Sequence, residues 1–135
     1  MKWPLLPADA WGRARVRSLA QLIACDIQPL QNASTTRYLT SRLGCSATQI
    51  ATWLRDWISR GLDAMEMQVA RDPMTGRFIH GQAPSLADCC LVPQLYAARR
   101  FGVDIATYPT LLRIELACLE RADFQLAAPD RQLDA

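Results

Sequence analysis

The feature of this sequence that most limits its fold is a single apolar stripe. Ile50, Trp53, Leu54, Trp57, Ile58, Gly61, Leu62, Met65 and Val69 recur at steps of three and four. At 3.6 residues per turn these positions share one face, so the spacing predicts an amphipathic helix that buries that face. Its start is marked too. SATQ (46–49) has the S-x-x-Q form of a capping box, in which two side chains satisfy backbone N–H groups left unpaired at a helix start. Gly61 stands inside the buried face, where it costs about 1 kcal/mol of helix propensity relative to alanine. Close approach by another helix is the physical reason to keep a glycine there.

A second stripe runs through Val16, Leu19, Ala20, Ile23, Ile27 and Leu30. Asp9 is placed to cap that helix, because its carboxylate accepts from free N–H groups of the first turn. Pro29 has no N–H and clashes with the preceding turn, so it should kink or end the helix beside the polar residues Gln28, Gln31 and Asn32. DPMTG (72–76) reads as a turn. Pro109 suits the first position of a helix that continues through Ile114 and Cys118. ADFQLAAP (122–129) reads as one last short helix, and RQLDA (131–135) as a polar tail. No segment alternates as a strand would. The expectation is an all-α bundle of five to six helices, with residues 1–135 forming one domain.

The stretch HGQAPSLADCCLVPQ (80–94) invites a chemical reading, since it holds the sole histidine, an aspartate and two adjacent cysteines. A zinc site needs three or four ligands converging on one ion. Neighbouring residues on a helix point about 100° apart, so Cys89 and Cys90 do not converge. Nor does nearness in sequence bring His80 to a thiolate. Free cysteine packs as a small hydrophobe, and that is the reading adopted for this pair. SLAD instead marks a helix start: Ser85 and Asp88 form a capping box with aspartate in the glutamate position. The helix behind it, LADCCLVPQLYAA, is apolar on nearly every face, which predicts a central, buried position. No metal site and no catalytic residue is assigned.

A formal net charge of +2 gives no basis for nucleic-acid or membrane partners, and the arginines are dispersed. No apolar run approaches the ~18 residues a membrane span needs, and the start of the chain does not read as a signal peptide. Five cysteines without a CxxC pair or an even framework suit reduced thiols in a cytoplasm.

IACDIQPLQN (23–32), HGQAPSLADCCLVPQLYAARRFGVD (80–104) and YPTLLRI (108–114) resemble the zeta class of glutathione transferases, which includes maleylacetoacetate and maleylpyruvate isomerases. The likeness runs from PLLPAD to RQLDA and concerns the C-terminal helical domain of that class. Members carry a thioredoxin-like domain ahead of it, with the glutathione-activating motif. The expectation is that this N-terminal domain is absent here and that the chain alone lacks catalysis.

The resemblance implies that Gln28, Asn32, Ala33 and Ser34 approach glutathione, with Ala33 standing where leucine is usual. It also implies that Arg100 holds a carboxylate of an acidic substrate, a task for which a guanidinium fork is suited. Each position has a structural competitor. Gln28 and Asn32 can satisfy backbone groups freed at Pro29, and Arg100 can be a solvated cation at a helix C-terminus. Two functions follow. One is glutathione-dependent cis–trans isomerisation of a maleyl-type dicarboxylate in aromatic catabolism, with a thioredoxin-like domain supplied in trans. The other is a non-catalytic helical binding or dimerisation module. A homodimer is the expected partner state, with Trp3, Trp11 and the first-helix stripe as its candidate surface.

Overall fold

A computed structural model describes residues 4–133 and, among these, contains helices and no strand. The α-helices are α1 (Ala10–Gln21), α2 (Gln28–Gln31), α3 (Ala33–Leu43), α4 (Ala47–Arg71), α5 (Leu86–Arg100), α6 (Pro109–Leu119) and α7 (Ala122–Leu126). Five of them, α1, α3, α4, α5 and α6, have eleven residues or more. The all-α bundle expected from the sequence is therefore present.

Helix α4 is the predicted stripe made solid. Leu54, Ile58, Leu62, Met65 and Val69 are buried along it, and Trp53 and Trp57 flank the core half-buried. Its capping box forms as the SATQ spacing requires. The Gln49 N–H reaches Ser46 Oγ at 3.2 Å, and the Ser46 N–H reaches Gln49 Oε1 at 2.8 Å. At the other end, the Glu66 carboxylate accepts the N–H groups of Thr110 and Leu111, both at 2.9 Å. Glu66 thus caps α6, whose own Tyr108 provides no side-chain cap.

The first stripe is interrupted in an instructive way. Asp9 caps α1 through the Gly12 N–H at 2.7 Å. Residues Leu22–Ile27 then widen into a π-helical turn, in which the Gln28 N–H bonds Ile23 O, five residues back. Pro29 follows this wider turn in the first turn of α2, where its missing N–H costs no intrahelical bond. Ile27 projects from that turn into the core, and a Cβ on Gly61 would overlap its side chain. The buried glycine of α4 therefore has the reason expected of it, with the π turn as the approaching element.

Helix α3 was not foreseen from the sequence. It starts at Asn32, whose Oδ1 accepts from Thr35 N at 3.0 Å, and stops at Gly44, which is left-handed at φ 67°. None of its residues is fully buried, which explains the absence of a clear stripe.

One side chain grips the loop after α4 at three points. Arg15 of α1 donates from Nε to Asp72 at 2.6 Å, from Nη1 to Ile79 O at 2.6 Å and from Nη2 to Thr75 Oγ1 at 2.8 Å. The DPMTG turn forms within it, with Thr75 N bonded to Asp72 O at 3.1 Å.

Helix α5 corrects one expectation. Ala87, Leu91, Gln94, Leu95 and Ala98 are buried, whereas Cys89, Pro93 and Tyr96 face outward. Its apolar composition reflects a buried face and an open one. The open face forms the floor of a groove of about 520 Å³, completed by Leu119 of α6 and Phe124 of α7.

Candidate functional site

The start of α5 is a structural centre. Asp88 is fully buried, and its carboxylate accepts Ser85 N at 2.7 Å, Ser85 Oγ at 2.7 Å and Ile79 N at 2.9 Å. The capping box of Ser85 and Asp88 is present, and it also ties down the loop that Arg15 grips. Burial pushes the Asp88 carboxyl above the usual aspartate value, with the three donors opposing that shift. Leu5 adds its carbonyl to the Leu86 N–H at 2.8 Å, so the lead-in segment closes the helix start.

The cysteines diverge as helical geometry requires. Cys89 is exposed in the groove and Cys90 packs against the core from another side. Cys89 is thus more open than a packed cysteine would be. Desolvation raises both thiols, and it lifts buried Cys118 to about 12. A raised thiol holds less thiolate, which makes a poor nucleophile. His80 lies with Nδ1 3.3 Å from Arg15 Nη1.

The adjacent arginines at the far end of α5 have different surroundings. Arg99 donates from both terminal nitrogens to Glu115, at 2.7 and 2.5 Å, and Glu115 is 3% exposed. That fork raises the Arg99 pKa and commits the side chain to joining α5 and α6. Arg100 points elsewhere. It lines an open cleft of about 890 Å³ with Phe101 and Gly102, its guanidinium 6.0 Å from the Phe101 ring centre. Gly102, at φ 75°, ends the helix in the left-handed conformation and fixes this corner. The other cleft walls are α3, through Ala33, Thr36, Arg37 and Thr40, and α4, through Ala47, Ile50, Ala51 and Leu54.

Of the positions implied for ligand binding, Ala33 and Arg100 therefore meet in one cleft. Gln28, Asn32 and Ser34 cluster beside it around the α2–α3 junction. Asn32 spends its oxygen on capping, accepting from Thr35 N at 3.0 Å and Ser34 Oγ at 2.7 Å. Its amide nitrogen, like the exposed Gln28 side chain, makes no hydrogen bond among the described residues. Asn32 thus meets one backbone group at this junction, as its structural reading expected, and the carbonyls of α2 are met by other residues. Thr35 Oγ1 donates to Pro29 O at 2.6 Å, and the Trp53 indole donates to Leu30 O at 2.8 Å. Gln31 and Gln94 exchange two amide bonds at 3.1 and 2.9 Å, locking the junction to α5. Arg37 is a cleft residue the sequence reading missed. Its only signal was helical spacing with Ala33 on a helix that carries no buried stripe.

Residues 53–131 match the family described as glutathione S-transferase, C-terminal domain. A maleylpyruvate isomerase from Ralstonia sp is 47% identical over 131 residues, covering 97% of this chain and 62% of that protein. A holo structure of maleylpyruvate isomerase, described as a bacterial glutathione S-transferase in the zeta class, superposes with a TM-score of 0.94 at 47% identity, over 97% of this chain and 62% of that one. Maleylacetoacetate isomerase from Anaeromyxobacter dehalogenans 2CP-1, with glutathione bound in its active site, is 53% identical with a TM-score of 0.89, over 97% of this chain and 58% of that one. The chain spans about three fifths of the length of the curated relatives it matches. It belongs to the glutathione S-transferase family as a C-terminal helical domain of the zeta class.

Proposed function

We propose that this domain supplies the substrate side of a glutathione-dependent cis–trans isomerase acting on a maleyl-type dicarboxylate in cytoplasmic aromatic catabolism. The observation that carries the reading is the division between the two arginines of α5. Arg99 is occupied by Glu115, while Arg100 lines a cleft that also contains Ala33 and forms no ion pair among the described residues. A guanidinium there holds one substrate carboxylate in a two-to-two pair and so orients the double bond. Ile50, Leu54 and Phe101 give the remaining substrate an apolar wall. Glutathione, where bound, would supply a thiolate nucleophile for reversible addition to the double bond. Gln28 and Asn32 would hold its peptide edge.

The side chains lining the cleft include no thiol, imidazole or carboxylate. The family resemblance places the group that activates the thiolate in a thioredoxin-like domain, which would act from the same polypeptide or in trans. Five free cysteines are in keeping with a reducing cytoplasm, and no helix among the described residues is long and apolar enough to cross a membrane. A second reading, a non-catalytic module that associates into a homodimer, draws support from the apolar groove under α7.

The test is maleylpyruvate turnover with glutathione, by the 135-residue chain alone and by its fusion to a zeta-class thioredoxin-like domain. No turnover is expected alone. The fusion should turn over, and Arg100→Ala should raise its KM about tenfold or more. Turnover by the chain alone, or a fusion indifferent to Arg100, contradicts the reading.

A further inference from the structure

The cleft that holds Arg100 has a second cation. On α3, Ala33, Thr36, Arg37 and Thr40 follow one another at the i, i+3, i+4, i+7 spacing of a single face, and all four line the cleft. Opposite them Ala47 and Ala51 of α4 are small enough to keep the space between the helices open. Two arginines therefore line one opening from different helices, Arg37 from α3 and Arg100 from the end of α5.

Charge distinguishes this cleft from other depressions on the surface. Arg17 shares its depression with Asp26, Arg71 shares one with Asp72, and the groove under α7 sets Arg99 and Arg121 beside Glu115 and Asp123. Arg37 and Arg100 meet no acidic side chain in theirs, and neither forms an ion pair among the described residues. Two like charges facing one opening repel each other and focus a positive potential into it, which an incoming anion relieves. Two forks on separate helices suit an anion whose charges are also separate.

We infer that Arg37 is a specificity-determining residue: it binds the second carboxylate of a dicarboxylate whose first carboxylate is held by Arg100. The choice of a dicarboxylate rests on the isomerase reading above; the pairing of the two arginines rests on the cleft itself. Arg37 sets which substrates are retained. A monocarboxylate engages one fork, whereas a dicarboxylate engages both.

The test uses the 135-residue chain, isotope-labelled, titrated with maleate, with crotonate as the monocarboxylate and with inorganic phosphate, following the amide signals of Ala33, Ile50 and Gly102. Wild type should bind maleate at least about tenfold more tightly than crotonate or phosphate. Arg37→Gln should erase that preference while leaving crotonate affinity unchanged, and Arg100→Gln should weaken both carboxylates. Arg42→Gln removes the same charge from the same helix outside the cleft, and the preference should survive it. The inference is overturned if Arg37→Gln keeps the preference, if Arg42→Gln loses it equally, if phosphate matches maleate, or if maleate shifts none of these signals. Maleate binding that depends on Arg37, in a chain whose fusion fails to isomerise, would sink the isomerase reading and leave this one standing.

Discussion

Asp88 shows how one buried charge is tolerated. Removing a carboxylate from water is costly unless donors replace the lost hydration, and here two backbone N–H groups and one hydroxyl do so. Truncating Asp88 strands those donors, whereas truncating Ser85 removes one bond of the set. Asp88→Ala should therefore cost about 2–4 kcal/mol of unfolding free energy and Ser85→Ala about 1 kcal/mol, measured by urea denaturation. Equal losses, or none, would contradict this account. The capping box itself was legible in SLAD. The bond from Ile79, nine residues upstream, was not, because local spacing carries no information about which loop folds back onto a helix start.

Among the elements, the π turn and α4 make the sharpest prediction. A Cβ at position 61 would overlap Ile27, which is fully buried and has no room to retreat. Gly61→Ala should destabilise by about 1–3 kcal/mol despite the better helix propensity of alanine. Ile27→Ala opens the space, so the double variant should lose at least about 1 kcal/mol less than the sum of the two single losses. Strict additivity in a thermal double-mutant cycle would show that the two residues do not touch. The glycine's purpose was readable from its place in the stripe. Its partner was not, since a 3.6-residue period cannot anticipate a wider turn. Helix α3 escaped notice for a related reason. It packs its small and polar face toward a cleft, which leaves no apolar periodicity to read, and only its Asn32 and Gly44 boundaries carried a local signal.

At the scale of the whole molecule, the apolar surface expected from the sequence is exposed at Trp11 but not along the first-helix stripe. The first-helix stripe is in the core, and Trp11 is 88% exposed at the start of α1; Trp3 falls outside the described residues. The larger apolar feature is the groove formed by Leu5, Val92, Pro93, Tyr96, Leu119 and Phe124. It was hidden in the sequence because α5 is apolar on both faces and composition does not say which face is covered. If the proposed homodimer forms, light scattering of the concentrated chain should give twice the monomer mass, 30.2 kDa from 2 × 15.1 kDa; a monomer throughout would count against it.

The fold, the family and Arg100 could all be approached from the sequence, but the separation of Arg99 from Arg100 required packing. Adjacent helical residues diverge by about 100°, so one turns to buried Glu115 and the other to the cleft. Maleate affinity and unfolding free energy, measured together for Arg99→Ala and Arg100→Ala, test that division most directly. The account predicts that Arg99→Ala loses about 2–4 kcal/mol of stability and still binds maleate when folded, while Arg100→Ala stays within about 0.5 kcal/mol of wild type and binds maleate at least about tenfold more weakly. An Arg100→Ala variant that unfolds as readily as Arg99→Ala, or binds maleate as wild type does, would contradict it.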